Sequence, residues 1–246
     1  MHRFFAADPE IKDNKLNLAG DEWHHCRTVL RRGNGARIIL FDGKGNEYLA
    51  EIYEATAQYA VLNLLKKTTT PRPTTAITLA QALPKKKAMD LIVQKATELG
   101  VYEIVPLLSN QSVVKIKPSE AHSKTMRWRE ISIEAAKQCG SNWLPCITPP
   151  QAFREVIATP SRYHLCLIGS LQNDAQPLWS YLADLKAAPL SILLMIGPEG
   201  DFAPAEIEFA RHYGFRPLSL GPHILRCETA ALYALSILNY EVSRLH

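Results

Sequence analysis

The stretch Ser191-Ile-Leu-Leu-Met-Ile-Gly-Pro-Glu-Gly-Asp-Phe-Ala-Pro204 decides how the chain is read. Six apolar or small residues run into Gly197-Pro198-Glu199-Gly200, and a charged amphipathic segment follows. A short apolar run bounded by Gly and Pro reads as a strand buried on both faces. Such strands belong to parallel sheets covered by helices. In open sheets of this kind, ligands sit just past the carboxyl ends of the strands. A Gly-Pro-x-Gly loop there lets a ligand come close to the backbone, because glycine has no side chain in the way. Taken alone, the stretch fits an ordinary strand-to-helix turn better than a binding loop.

The surrounding pattern extends the reading. From Ile77 onward, strand and helix signals alternate. Strands are expected over 77–83, 102–108, 163–168, 191–196 and 215–220. Met89, Ile92, Val93, Ala96 and Leu99 recur at helical spacing before Gly100. Trp128, Ile131, Ser132, Ala135, Ala136 and Cys139 mark the inner face of a second helix. Further helices are expected near 177–186, over 204–213 with Pro204 in the first turn, and over 228–245. The alternation predicts an α/β domain, a mostly parallel sheet with helices on both faces.

Residues 1–70 read differently. Short apolar runs are separated by turn signals, and Asp42-Gly43-Lys44-Gly45 between two such runs is strong hairpin chemistry. Five short strands suggest a small β-barrel. A helix is expected over 21–30, with Asp21 as its cap. Thr68-Thr-Thr-Pro-Arg-Pro-Thr-Thr75 has linker composition, so the domain boundary is placed there, dividing 1–72 from 73–246.

Composition narrows the function classes. The 246 residues are 47% hydrophobic and 21% charged, as in packed proteins. No apolar run nears the roughly 20 residues needed to span a bilayer, and the first residues are too poor in apolar content for a secretory signal. A cytoplasmic protein without membrane association is therefore expected. The five cysteines are scattered, with no zinc spacing, which points to free thiols and no metal. Cys227 reads as a packing residue rather than a nucleophile. The net charge of +4 is uneven. Residues 1–72 hold 11 basic and 9 acidic groups, 73–150 hold 10 and 6, and 151–246 hold 7 and 9. Basic excess in the first two thirds suits a phosphate-rich partner, and a solvated basic face without a partner competes with that reading.

Three expected strands end in small-residue turns: Ile168-Gly169-Ser170, Ile196-Gly197-Pro198, and Leu220-Gly221-Pro222. If these strands are neighbours, the turns converge on a pocket walled by backbone, suited to a flat hydrogen-bonding ligand such as a purine. No dinucleotide or nucleoside triphosphate motif is present, and neither a Ser-His-acid nor a paired-carboxylate arrangement stands out.

Gly197-Pro-Glu-Gly200, Phe215-Arg-Pro-Leu-Ser-Leu-Gly221 and Ile224-Leu-Arg-Cys-Glu-Thr-Ala230, in this order, resemble the signature of the RsmE-type 16S ribosomal RNA uridine-N3 methyltransferases of the SPOUT superfamily. The resemblance runs the whole length, through Met1-His-Arg-Phe-Phe5, Leu40-Phe-Asp-Gly43 and Met89-Asp-Leu-Ile-Val-Gln-Lys-Ala-Thr-Glu-Leu-Gly100. It implies a PUA-like RNA-binding barrel followed by a domain tied in a trefoil knot. It also implies an S-adenosylmethionine pocket in the knot loops, a homodimer, and 16S ribosomal RNA of the small subunit as substrate. The cofactor contacts implied are Ile168, Gly169, Ile196, Gly197, Pro198, Glu199, Gly200, Leu220, Gly221, Ile224, Leu225, Thr229 and Ala230. Two departures are noted: Asp201 where the family usually has a second glycine, and Cys227 where it has threonine. Asp tolerates a positive φ better than most residues.

Methylating uracil N3 requires loss of its proton and stabilisation of the anion left behind. Arg226 is the candidate for the second task, with a structural ion pair to Glu228 or Glu199 as the competing role. Glu199, Glu228 and bulk hydroxide all remain open as the base. Phosphate contacts are expected from Arg3, Arg31, Arg32, Lys85, Lys86 and Lys87, with a solvated turn as the alternative for the lysine run. His24-His25 reads as one surface and one half-buried residue; Trp128 and Trp143 read as core. Two other readings stay open: a SPOUT methyltransferase acting on a different RNA, and a non-catalytic RNA-binding protein that kept the fold.

Overall fold

The computed structural model describes every residue except Lys86, Lys87, Val113, Lys115, 184–186, Ala188, Leu245 and His246. The described residues form two compact units, Met1–Arg72 with Ile133–Leu144, and Pro73–Ser132 with Pro145–His246.

The first unit is a curled five-stranded sheet. Its strands are β1 (Arg3–Phe5), β2 (Lys15–Ala19), β3 (Arg37–Phe41), β4 (Asn46–Ala55) and β5 (Tyr59–Thr69), in the order β1-β3-β4-β5-β2. The alternation of β2 (Leu16 and Leu18 in, Lys15 and Asn17 out) shows why it lies with one face on a core. That core gathers Phe4, Trp23, Ile38, Leu40, Ile52 and Leu62. At the β3–β4 hairpin the Asp42 carboxylate accepts from the Lys44 and Asn46 backbone amides at 2.7 and 3.0 Å. An aspartate holding its own turn in this way fixes the strand register.

The helix expected over 21–30 is corrected in two respects. The α-helix α1 is Gly20–His24, and His25–Val29 continues as a wider π-helical turn. Asp21 lies inside the first turn rather than capping it, because Gly20, at φ +65°, swings the chain from β2 directly into the helix. His24 is exposed and His25 half-buried.

The second unit is an eight-stranded sheet. In chain order come β6 (Ala76–Ala82), α2 (Ala88–Glu98), β7 (Glu103–Leu108), α3 (Pro118–Cys139, whose residues from Ile133 on belong to the first unit), β8 (Cys146–Ile147), β9 (Gln151–Ala152) and α4 (Phe153–Ile157). Then come β10 (Leu165–Gly169), β11 (Gln176–Pro177), α5 (Leu178–Leu182), β12 (Ser191–Ile196), α6 (Pro204–His212), β13 (Arg216–Ser219) and α7 (Cys227–Arg244). The strand order is β11-β13-β10-β12-β6-β7-β8, with β9 also on β7. Each of these pairings is parallel.

β12 runs down the middle, between β10 and β6. Its side chains alternate between two cores. Ile192, Leu194 and Ile196 join the cluster built with α2 and α7. Leu193 and Met195 join the cluster under α4 and α6. A strand that feeds two cores has no polar face, which is why 192–196 is apolar throughout. Fully burying each such side chain stabilises the fold by about 1.5–3 kcal/mol. Among the described residues no helix is long and apolar enough to cross a membrane.

Candidate cofactor site

The order β13-β10-β12 makes the three strands with small-residue ends immediate neighbours. Because all run in the same direction, their carboxyl ends open on one side. A cavity of about 270 Å³ lies there, walled by residues 169–172, 196–199, 201 and 218–225, with Cys227 and Ala230 of α7 closing it. Two glycines keep the floor open, and at Gly197 the crowding atoms are backbone. A side chain at Gly169 would meet Ile196 Cδ1 at 3.3 Å, and one at Gly197 would meet the backbone of Asp201 and Phe202 at 3.1–3.2 Å.

The loop after β12 is held from several sides. Gln81 of β6 is fully buried, and its Nε2 donates to the Ala82 carbonyl at 2.9 Å and, at longer range, to the carbonyls of Ile196 and Gly197 at 3.4 and 3.5 Å. Glu199 Oε1 accepts from the Lys85 backbone amide at 2.8 Å. Asp201 has φ +62°. Its Oδ1 accepts from Phe202 N at 2.8 Å and its Oδ2 from Leu171 N at 3.0 Å. Among the described residues the cavity wall carries two carboxylates, Glu199 and Asp201, and no lysine or arginine. Polar groups that a ligand can reach include Ser170, Gln172 and Ser219, while Ile196, Leu218, Leu220 and Leu225 supply apolar surface.

Cys227 is buried, and its thiol is pushed up to about 12, first by burial and then by the hydrogen bond and charge of Glu228 and the charge of Glu199. Its Sγ donates to Glu228 Oε2 at 3.2 Å. So high a value leaves the thiol protonated, in a packing role rather than a nucleophilic one.

Residues 70–239 match the family model described as an RNA methyltransferase domain, and residues 18–65 match an RNA methyltransferase PUA domain. The chain belongs to this family of RNA methyltransferases. Among its relatives, the ribosomal RNA small subunit methyltransferase E of Synechocystis sp. is 33% identical over 97% of this chain and 77% of the relative. The protein of the same name from Bacillus subtilis is 30% identical over 94% of this chain and 91% of its own length. The corresponding structure from Neisseria gonorrhoeae, bound to S-adenosyl methionine, superposes with a TM-score of 0.85. It is 33% identical and covers 98% of this chain and 97% of its own. A putative methyltransferase of Legionella pneumophila, in complex with the bound cofactor SAM, reaches a TM-score of 0.88 at 33% identity, over 97% and 96% of the two chains. The curled half-barrel of the first unit and the parallel α/β sheet of the second are thus a PUA-type unit and a SPOUT-like methyltransferase unit.

In this methyltransferase the residues expected at the cofactor are brought together with three exceptions. Gly169, Ile196, Gly197, Pro198, Glu199, Leu220, Gly221, Ile224, Leu225 and Ala230 line the cavity. Ile168 points into the core under α6, Gly200 stands outside the wall, and Thr229 faces solvent. Arg226 is exposed immediately before α7, and among the described residues it is paired with neither Glu199 nor Glu228. Arg31 and Arg32 are exposed on the barrel, and Lys85 is exposed after β6. Lys86 and Lys87 lie outside the described residues. Arg3 is half-buried and engaged within its own unit: it pairs with Glu47, donates to Asn142 Oδ1 at 2.7 Å, and stacks over Phe41 at 5.0 Å. The sequence reading missed Leu171, Gln172 and His223 in the wall. Their only signal was adjacency to the three turns. No group of three or more His, Cys, Asp or Glu positioned for a metal is found among the described residues.

Proposed function

We propose that the chain is an S-adenosylmethionine-dependent methyltransferase of small-subunit ribosomal RNA, acting on N3 of a uridine. The observation that carries this reading is that the motif-bearing loops at 196–201 and 218–225 meet at one cavity in a member of the RNA methyltransferase family. The cavity fits the cofactor: Gly169 and Gly197 leave its floor open, apolar side chains offer surface to a flat base, and its two carboxylates suit a ligand with a cationic centre. S-adenosylmethionine supplies a methyl group on a sulfonium, which needs little further activation.

The work left to the protein lies on the acceptor side. Arg226, unpaired with its acidic neighbours and next to the positive end of α7, is placed to stabilise the anion that forms on the uracil carbonyls. Glu199 uses Oε1 to hold Lys85 N and keeps Oε2 for the N3 proton. Residues 1–72 form the RNA-binding domain and 73–246 the catalytic domain, with Arg31, Arg32 and Lys85 offering exposed cations to phosphates. The chain works in the cytoplasm as a homodimer. Ile224 at the cavity rim is 79% exposed, and Tyr233 and Tyr240, seven residues apart on α7, leave a bare apolar stripe for a second copy. Between β12 and α7 the chain is threaded as a trefoil knot, against the general rule that folds are unknotted.

The test is genetic and chemical. Deleting the gene and mapping modified uridines in small-subunit RNA should remove one N3-methyluridine; an unchanged modification refutes the reading. Titration calorimetry should show S-adenosylmethionine binding, and no binding at high concentration would sink every methyltransferase version of it.

A further inference from the structure

We propose that Asp201 is a positioning residue of the cofactor cavity: its carboxylate ties the loop after β12 to the loop after β10 and thereby sets how tightly the cavity holds its ligand. This rests on the reading that the cavity takes S-adenosylmethionine.

At φ +62°, position 201 favours glycine. An aspartate there is at a conformational disadvantage, which its contacts offset. The Asp201 amide donates to Pro198 O at 3.0 Å and closes the Gly-Pro-Glu-Gly turn. Oδ1 accepts from the next residue, Phe202. Oδ2 reaches Leu171, thirty residues away. Asp201 and Leu171 both line the cavity, so this one bond joins two of its walls.

The loop after β10 has other ties, but among the described residues none at 171. The Ser170 amide donates to Leu218 O at 3.0 Å, and the Gln172 amide to Ser170 Oγ at 3.1 Å. Gln172 Oε1 accepts from Arg211 at 3.1 Å, and Asp174 pairs with Arg211. Between these anchors the Leu171 amide is met by Asp201, while the Leu171 side chain is 58% exposed and adds little burial. A bond to an ionised acceptor is about twice as strong as a neutral one. Removing it frees the rim at 171 and leaves the anchors on either side in place.

Two substitutions separate the tie from the turn. In Asp201→Gly the backbone keeps its φ without strain and the tie is lost. In Asp201→Asn one side-chain oxygen remains, able to hold one of the two amides. With S-adenosylmethionine as the probe, Asp201→Gly should raise the Kd and the KM for the cofactor about tenfold, the effect of one charged hydrogen bond, with Asp201→Asn between it and wild type. The kcat at saturating cofactor, the KM for RNA and the thermal midpoint of the cofactor-free protein should hold. Wild-type affinity in Asp201→Gly overturns the proposal. So does a loss that appears in kcat or in the cofactor-free midpoint, because that is the mark of a general structural role. If the unsubstituted protein binds no S-adenosylmethionine, the functional reading fails and the proposal falls with it; if it binds and Asp201→Gly binds equally well, the tie alone is refuted.

Discussion

Substituting Gly197 by alanine tests whether the cavity floor is as closely built as its geometry indicates. A Cβ at 197 would lie 3.1 Å from Asp201 C and Phe202 N and 3.2 Å from Asp201 Cα, whereas ordinary contact starts at 3.4 Å. The offending atoms are backbone, so no side chain can rotate away. Residues 201–202 must retreat by about 0.3 Å, the difference between 3.4 and 3.1. That retreat stretches the 3.0 Å bond from Leu171 N to Asp201 Oδ2. Overpacking of this type costs about 1–3 kcal/mol. Borne by the ligand-holding geometry, this is a loss of about 5- to 150-fold in affinity, at about tenfold per 1.4 kcal/mol. Calorimetric titration of Gly197→Ala with S-adenosylmethionine should show it, and circular dichroism should show an intact fold. Adding Asp201→Gly should not rescue the variant, because all three crowded atoms remain. Wild-type affinity in Gly197→Ala would refute the reasoning, since it would mean that the loop moves freely under the substitution.

Arg226→Ala should bind S-adenosylmethionine as the unsubstituted protein does while its single-turnover methylation rate falls about 10²–10³-fold; an unchanged rate removes Arg226 from the chemistry. Glu199→Gln keeps an acceptor for Lys85 N, so a large loss of rate with intact cofactor binding would mark the carboxylate as the base, and full activity would reduce it to a strut. In the first unit Lys137, with its side chain 10% exposed, donates to Glu22 at 3.0 Å and to Glu134 at 2.8 Å. Burial already raises the Glu22 carboxyl above its usual range, against the lowering effect of Lys137. Lys137→Ala should therefore cost about 2–4 kcal/mol of unfolding free energy, and adding Glu22→Gln should recover part of it in a urea titration. Burial pushes the thiols of Cys26 and Cys166 up to about 11 and of Cys227 to about 12. The unfolded chain releases these protons near 9.0 and the native protein holds them. Stability from this source is thus complete below pH 9 and declines as pH rises through 11 to 12. Urea midpoints should fall between pH 8 and pH 10.5, and a rise over that range contradicts the assignment.

Much of the second unit was legible because its strands feed two cores and carry unbroken apolar runs. The strand over 191–196 needed no partner to be recognised, and the strands at 165–169 and 216–219 differ from expectation only at their ends. The two-residue strands at 146–147, 151–152 and 176–177 were not legible, because so short a segment has no periodicity to read. The helix Pro118–Cys139 begins well before its apolar face does, since its first turns are polar and exposed. Cys139, read as part of the inner face, is exposed at the last residue of the helix. The cavity could be foreseen as three converging turns. The reach of Asp201 to Leu171 could not, because it depends on two loops thirty residues apart whose adjacency only the strand order establishes. Arg3 illustrates the converse: its charge suggested RNA, and the fold gives it Glu47, Asn142 and Phe41 as partners.

The composition of the first unit bears on the order in which the chain folds as it is made. The 72 residues that lead it are joined there by Ile133–Leu144. Leu144 N donates to Gly43 O at 3.0 Å, Gly45 N to Asn142 O at 2.9 Å, and the Trp143 indole to the carbonyls of Thr70 and Pro71. When the β-strands leave the ribosome, the segment that completes them is still some sixty residues from being synthesised. Domains generally fold as units, amino-terminal first. Here the leading unit must wait with its hairpin turn at 42–46 uncovered until residue 144 has emerged.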